Sequence, residues 1–119
     1  MNRFILVLHC PPWSHQSVAT ACQFAQAAID RGNSITAVFL YQDAVLNGSN
    51  NLDMPSDELN GQSQLVNLNS QHNIPLLMCV TAAEKRGVNA NALHPSFTLS
   101  GLAEFAELTT ESDKMVQFK

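Results

Sequence analysis

The chain has 119 residues, of which 45% are hydrophobic and 13% are charged, and its net charge is -4. This length suits one domain, residues 1–119, and the acidic balance argues against direct binding of nucleic acid, which usually requires a basic stripe. No apolar run approaches the roughly 20 residues that cross a bilayer, so a membrane span is excluded, and the low charge content hints that other subunits cover part of the surface.

The first 41 residues predict a strand, a helix and a second strand. The apolar runs at both ends are rich in residues that favour strands, and the segment between them repeats apolar residues at the spacing of an amphipathic helix. Two strands joined by one helix are expected to lie parallel, with a right-handed crossover. The predicted bounds are a strand at 3–9, a helix that starts after an N-cap at Ser14 or Ser17 and stops at Gly32, and a strand at 34–41.

The remainder of the chain predicts a long loop, three helices and two further strands. At least four strands that alternate with helices are typical of an α/β fold. We therefore predict a single domain with an open, mainly parallel sheet, helices on both faces and flavodoxin-like layering. The predicted bounds are a loop over 42–57, a polar helix over 58–72, a strand at 74–80, a short helix at 81–86 before Gly87, a loop over 88–97, a stretch 97–101 that leads into a helix at 101–111, and a strand at 114–118.

Cys79 is the residue best placed for chemistry. It ends the third predicted strand directly before a helix, and reactive groups gather at the carboxyl ends of parallel strands. The positive end of a helix dipole favours a thiolate there, and Lys85 and Arg86 add positive potential. A thiolate attacks a sulfur atom that is bonded to another sulfur, as in thiol–disulfide exchange. The residues alone leave open that Cys79 is an inert core cysteine, because free cysteines are often buried.

The other two cysteines are predicted to have packing roles. Cys22 lies on the apolar face of the first helix, and no helix starts directly after Cys10. A second reactive thiol at Cys10 is the alternative. The cysteine spacing matches no zinc or CxxC pattern, and the short apolar run near the start does not resemble a signal peptide. We therefore expect a cytoplasmic protein with free thiols.

The histidines and glycines of the sequence do not point to a cofactor, and we expect none. His15 could serve a thiol as a general base. His9, His72 and His94 share no ligand spacing, so a metal site is not expected. The sequence contains no G-x-S-x-G, G-x-G-x-x-G or P-loop pattern, which leaves a serine nucleophile and nucleotide binding without support.

Several stretches resemble the TusD/DsrE family of sulfur-relay proteins. The most specific is C-V-x-A-A-x-x-R-G-V, from Cys79 to Val88. In that family the cysteine of this motif accepts sulfur as a persulfide and passes it on, which implies the same role for Cys79. The sequence departs from the family at Cys10, where glycine is usual, at Leu65, where tryptophan is usual, and in a shorter loop 88–97. The matching stretches are 23–47, 56–59, 68–88, 97–105 and 113–118, nearly the whole chain.

The resemblance implies a sulfurtransferase subunit within a relay. In the family, TusD-like subunits assemble with TusB-like and TusC-like subunits into a heterohexamer. They receive sulfur from a TusA-like donor and give it to a TusE-like acceptor, and the final product is 2-thiouridine at the tRNA wobble position. Three alternatives stay open: a DsrE-type subunit in dissimilatory sulfur oxidation, a non-catalytic scaffold subunit of the same complex, and a domain that binds a small ligand or nucleotide through the 42–57 loop.

Overall fold

Strands and helices alternate along most of the chain, as the sequence predicts. The structure, a computed structural model, describes residues 1–13, 15–50 and 61–119, and of His15 only the backbone. None of the described helices is both long and apolar enough to span a membrane. The elements in chain order are β1 Arg3–Leu8, α1 His15–Asp30, β2 Ser34–Leu40, a 3-10 helix Gln42–Gly48, α2 Gly61–His72, β3 Leu76–Cys79, α3 Val80–Lys85, a 3-10 helix Ala90–Ala92, β4 Phe97–Ser100, α4 Leu102–Glu111 and β5 Lys114–Phe118.

One five-stranded sheet organises these elements, in the order β4-β3-β2-β1-β5. All four neighbouring pairs are parallel, so the predicted open parallel sheet is confirmed. The register places Leu8 beside Leu40 and Leu40 beside Met78. The carboxyl ends of the three central strands therefore meet at one edge of the sheet, where ligands of such folds usually bind.

Helices cover both faces of the sheet, as predicted. Phe24 on α1 packs edge-on against Phe4 of β1, with ring centroids 5.3 Å apart. Phe105 on α4 stacks on Phe39 of β2 at 4.4 Å. Phe39 pairs in register with Val7, and Val7 lies three residues after Phe4 on β1, so their side chains point to opposite faces. The α1 and α4 helices therefore lie on opposite sides of the sheet.

Because helices cover both faces of the sheet, its central strands form the core. All four residues of β3 are buried, as are the last four of β1 and of β2. Strands that are buried on both faces carry continuous apolar runs instead of alternating ones, which is why these segments are recognisable in the sequence. The edge strand β5 is exposed or half-buried throughout.

The segment that follows β2 differs from the predicted loop. Its first part is a 3-10 helix, and Ala44, Val45, Asn47 and Gly48 in it are buried. The Asn47 side-chain amide donates to the Cys10 carbonyl at 3.2 Å and to the Ala44 carbonyl at 2.9 Å. These hydrogen bonds pair the buried Asn47 amide with two backbone carbonyls and hold the 3-10 helix in place. The rest of the predicted loop, at 51–57, and the predicted helix start at 58–60 lie outside the described residues.

One strand was not predicted. The stretch 97–101 was expected only to lead into a helix, but Phe97–Ser100 forms β4 and pairs with β3 from Leu76 to Cys79. Four residues are too few to give a clear alternation, and their strand conformation depends on a partner about 20 positions earlier in the chain. With β4 the sheet has five strands, consistent with the predicted minimum of four.

The start of α1 excludes one of its two predicted N-caps, and α3 begins one residue earlier than predicted. Ser17 is not an N-cap, because α1 begins at His15 and includes it. Ser14, the other candidate, lies outside the described residues. Val80 begins α3 instead of ending β3, a shift of one residue that is common at element ends.

Gly87 ends α3 in a backbone conformation that favours glycine. Its φ is +74°, and the amides of Gly87 and Val88 donate to the carbonyls of Glu84 and Ala83, as in a Schellman motif. Apart from its chain neighbours, no described residue has an atom within 4 Å of a Cβ added there, so the cost of a side chain is conformational.

We therefore expect Gly87→Ala to lower the free energy of unfolding by about 1–2 kcal/mol. Urea denaturation measures it. Gly87→Asn is the matched control, because asparagine tolerates this conformation better, and it should cost clearly less. Equal losses in the two variants would contradict the conformational explanation.

Candidate functional site

Cys79 lies at the carboxyl edge of the sheet. It is the last residue of β3 and pairs with Ser100 at the end of β4. Its backbone forms the N-cap of α3, but its side chain makes no capping hydrogen bond. The thiol is therefore not occupied in holding the helix. This is the strand end before a short helix at which the sequence places Cys79.

A pocket of about 260 Å³ opens beside Cys79. Only 2% of the surface of Cys79 is exposed, so protein covers most of this residue and the pocket is its opening within the described part of the chain. One water molecule occupies about 30 Å³ of liquid, so the pocket has room for a small ligand or the tip of a partner's side chain. Its lining residues are Tyr41, Gln42, Cys79, Thr81, Ala82, Lys85, Arg86 and Leu102.

Two basic side chains contribute to the pocket wall. The Arg86 Nε donates to the Asp43 Oδ1 at 2.9 Å, and one terminal nitrogen of Arg86 donates to the Ala82 carbonyl at 3.1 Å. These two bonds fix the guanidinium, while Lys85 is exposed and has no acidic partner among the described residues. The structure thus brings Cys79, Lys85 and Arg86 to one pocket and leaves positive charge in it.

The part of the pocket wall that follows β2 is held in place by a hydrogen bond with His9. His9 Nδ1 lies 2.9 Å from the Gln42 Oε1, and His9 Nε2 lies 3.0 Å from the Gln117 Oε1. Gln42 has a φ of +51°, a conformation that non-glycine residues adopt only when their surroundings hold them. The His9 bond provides part of that restraint and so fixes a residue that lines the pocket.

The other two cysteines lie away from this pocket. Cys10 is 4% exposed within the hydrophobic core, and Cys22 is half-buried against it, so the predicted packing roles agree with their positions. Burial raises the pKa of the Cys10 thiol, although a backbone hydrogen bond opposes the rise. Burial, with a smaller effect of Cys10, raises the pKa of Cys22 to about 11. These raised pKa values disfavour the thiolate form of both residues at neutral pH, which makes each a poor nucleophile.

This pKa predicts slow alkylation of Cys22. Its value of about 11 exceeds the ordinary 9.0 by two units, so below pH 9 the thiolate fraction is about a hundredfold smaller than in a free thiol. We expect the iodoacetamide rate at Cys22, followed by peptide mass spectrometry, to keep rising about tenfold per pH unit beyond pH 9. The unfolded chain is the control. A rate that levels off near pH 9 in the folded protein would contradict the burial effect.

His72 and His94 have structural partners. His72 Nε2 lies 2.9 Å from the Gln26 Oε1, and His94 Nδ1 accepts the Ser96 amide at 3.1 Å. The side chain of His15, the proposed general base, lies outside the described residues. Within those residues, no three histidine, cysteine or acidic side chains are grouped closely enough to hold a metal ion.

Sequence reasoning missed three of the eight residues that line the pocket, Tyr41, Gln42 and Leu102. Tyr41 and Gln42 follow β2, and the parallel pairing of β2 with β3 was the signal that could have placed them beside Cys79. Asp43 was assigned to a loop without a role. Leu102 is the first residue of α4, about 20 positions after Cys79 in the chain, and the sequence carries no signal that places it at this pocket.

Two relatives match nearly the whole chain. TusD of Klebsiella pneumoniae subsp. pneumoniae, which is named a sulfurtransferase, is 38% identical over 128 aligned positions that cover 98% of this chain and 99% of the relative. DsrE of Allochromatium vinosum is 32% identical over 127 aligned positions, with 98% of each chain covered. These names agree with the sulfurtransferase activity that the sequence predicts.

Solved structures and a family model agree with this relationship. The crystal structure of the E. coli protein ychN superposes with a TM-score of 0.83 at 25% identity and covers 99% of this chain and 100% of its own. MTH1491 from Methanobacterium thermoautotrophicum, a protein of unknown function, has a TM-score of 0.72 at 12% identity, with 98% and 99% covered, and shows the shared fold alone. The model of the DsrE/DsrF-like family matches residues 1–118. The chain therefore belongs to the DsrE/DsrF-like family.

Proposed function

We propose that this sulfurtransferase carries sulfur as a persulfide on Cys79. The coarse activity, sulfur transfer, follows from the relatives, and the assignment of Cys79 is the proposal. The observation that supports it most is the position of Cys79 on a pocket that also contains Lys85 and Arg86. Cys10 and Cys22 do not line this pocket, so they have no basic side chains arranged around them in this way.

The transfer needs only thiol chemistry. The Cys79 thiolate attacks the outer sulfur of a donor persulfide, and a bond forms between the two sulfur atoms. The sulfur–sulfur bond of the donor breaks, and its electron pair leaves on the donor thiolate. Cys79 then carries the extra sulfur, and an acceptor thiolate attacks that sulfur in the same way. Each attack returns one thiolate, so no external oxidant or reductant is consumed.

The pocket suits this intermediate electrostatically. A persulfide anion on Cys79 would lie in the same pocket as Lys85 and Arg86, and opposite charges at short range favour the charged form. The near-complete burial of Cys79 would shield the labile sulfur from oxidants and competing thiols. The pocket leaves one side open for a donor or acceptor to approach.

We extend the proposal to a relay with partner proteins. The family resemblance and the 38% identity to TusD support assembly with TusB-like and TusC-like subunits in a heterohexamer, a TusA-like donor, a TusE-like acceptor and thiolation of the tRNA wobble uridine. We propose a cytoplasmic location for this relay. The 32% identity to DsrE supports the rival role in dissimilatory sulfur oxidation.

A second candidate is the non-catalytic scaffold subunit. The observation in its favour is that only 2% of Cys79 is exposed, as expected of a core cysteine. In a scaffold, Cys79 would accept no sulfur, and partner proteins would carry the chemistry.

Peptide mapping of the loaded protein separates the two candidates. The reduced chain is incubated with glutathione persulfide, blocked with an alkylating reagent, digested and analysed by mass spectrometry. We expect one additional sulfur on the peptide that contains Cys79, and none on the peptides with Cys10 or Cys22. Absence of sulfur from the Cys79 peptide would favour the scaffold, and sulfur on the Cys10 peptide would move the site.

A further inference from the structure

The pocket beside Cys79 has spare positive charge and spare hydrogen-bond donors. Arginine has five N–H donors in a planar fork, and two of those of Arg86 are engaged within the described part of the chain, by Asp43 and the Ala82 carbonyl. Lys85 lines the same pocket without a described acidic partner. Glu84, the acidic residue of α3, does not line it. The free donors therefore suit a ligand with oxygen atoms and negative charge.

We infer that this pocket accepts sulfur directly from a small oxyanion that carries sulfane sulfur, with thiosulfate as the representative donor, and that Arg86, positioned by Asp43, binds the oxyanion. The inference rests on the proposed role of Cys79 and adds the class of donor. Thiosulfate has five non-hydrogen atoms, and a pocket of about 260 Å³ holds such an anion together with water. Two cations, Lys85 and Arg86, line the wall; the Asp43 carboxylate offsets part of the Arg86 charge, so Lys85 supplies the unpaired positive charge and Arg86 mainly supplies hydrogen-bond donors.

The reaction balances without another reagent. The Cys79 thiolate attacks the outer sulfur of thiosulfate, and a new sulfur–sulfur bond forms. The bond between that sulfur and the sulfonate sulfur breaks, and its electron pair leaves with sulfite. Cys79 becomes a persulfide anion, and the proton that the thiol first releases goes to the solvent. One sulfite is produced for each persulfide formed.

Asp43 acts in this account as a positioning residue. It lies in the 3-10 helix after β2, whereas Arg86 follows α3, so the bond of 2.9 Å ties together two walls of the pocket. Asp43 is exposed and Arg86 is half-buried, with 57% and 28% of their side chains accessible, so solvent screens the pair and it contributes little to folding. Its main consequence is that the Arg86 guanidinium, which belongs to a residue that lines the pocket, is held in place.

The test measures sulfite release and persulfide on the full chain at increasing thiosulfate concentrations. We expect saturation and one sulfite per persulfide. Arg86→Gln should raise the half-saturating thiosulfate concentration about tenfold or more, because one charge-assisted contact is lost. Arg31→Gln, which removes an exposed arginine at the end of α1, is the matched control and should change nothing.

The positioning role of Asp43 is tested by measuring two quantities separately, the half-saturating thiosulfate concentration and the maximal rate of sulfite release. Asp43→Ala should raise the half-saturating concentration and leave the maximal rate of sulfite release unchanged, while Asp43→Asn, whose amide oxygen still accepts from the Arg86 Nε, should give an intermediate value. A purely structural role would instead lower the melting temperature of Asp43→Ala without affecting thiosulfate saturation.

Three results would overturn the inference, and they differ from one another. If Cys79 is loaded by glutathione persulfide but thiosulfate releases no sulfite, the donor class is wrong and the proposed function stands. If neither donor loads Cys79, both proposals fail. If Arg86→Gln behaves like the wild-type protein and like Arg31→Gln, Arg86 does not bind the oxyanion.

Discussion

Replacement of Cys79 by serine is expected to abolish persulfide loading completely. A hydroxyl is a far weaker nucleophile than a thiolate at neutral pH and cannot hold sulfur by exchange. The change removes no described capping bond, since the Cys79 side chain makes none, so the fold should persist. Intact-protein mass spectrometry after incubation with glutathione persulfide measures the loss, and the melting temperature reports on the fold.

Two controls make this loss specific. Cys79→Ala leaves no buried hydroxyl without a partner, which can itself cost about 1–3 kcal/mol, and it should lose loading to the same extent. Cys22→Ser changes a half-buried thiol outside the pocket and should load like the wild-type protein. Persulfide on a folded Cys79→Ser protein would show that another thiol accepts sulfur.

Phe39→Ala is expected to have the largest effect on stability. Phe39 is 1% exposed at the centre of the sheet and stacks on Phe105 of α4 at 4.4 Å. Loss of a buried phenylalanine usually costs about 3–5 kcal/mol, through lost burial and the cavity that remains. Because domains of this size are stable by only about 5–15 kcal/mol, the variant should be close to unfolding. Urea denaturation gives the value.

The consequence of Phe39→Ala should reach the pocket. Phe105 lies one turn after Leu102 on α4, and Leu102 lines the pocket beside Cys79. We expect α4 to pack less tightly on the sheet in Phe39→Ala. Phe39→Leu fills more of the cavity and should lower the free energy of unfolding less than Phe39→Ala does. If Phe39→Ala costs less than about 1 kcal/mol, α4 does not depend on this contact as the packing indicates.

Buried parallel strands were predictable from the sequence because their cause is local. β1, β2 and β3 lie under helices on both faces, so each is a short continuous apolar run. The glycine stops at Gly32 and Gly87 were predictable for the same reason: both have positive φ values, which glycine adopts without a steric penalty.

The features that escaped prediction depend on contacts distant in sequence. β4 exists through its pairing with β3, and the 3-10 helix after β2 is stabilised by the bond from Asn47 to the Cys10 carbonyl. At the candidate site, Cys79, Lys85 and Arg86 lie within one short stretch and were singled out together. Leu102 lines the same pocket from α4, and Asp43 contacts the pocket residue Arg86 from the 3-10 helix after β2, and no local pattern marks either residue.

The central claim, that Cys79 alone receives sulfur, is tested most directly in a protein that keeps only this thiol. The variant Cys10→Ala, Cys22→Ser removes the two other cysteines, and alanine at position 10 places no hydroxyl in the core. After incubation with glutathione persulfide, we predict an intact mass increased by one sulfur atom in nearly all molecules. A folded single-thiol protein that gains no sulfur would contradict the account.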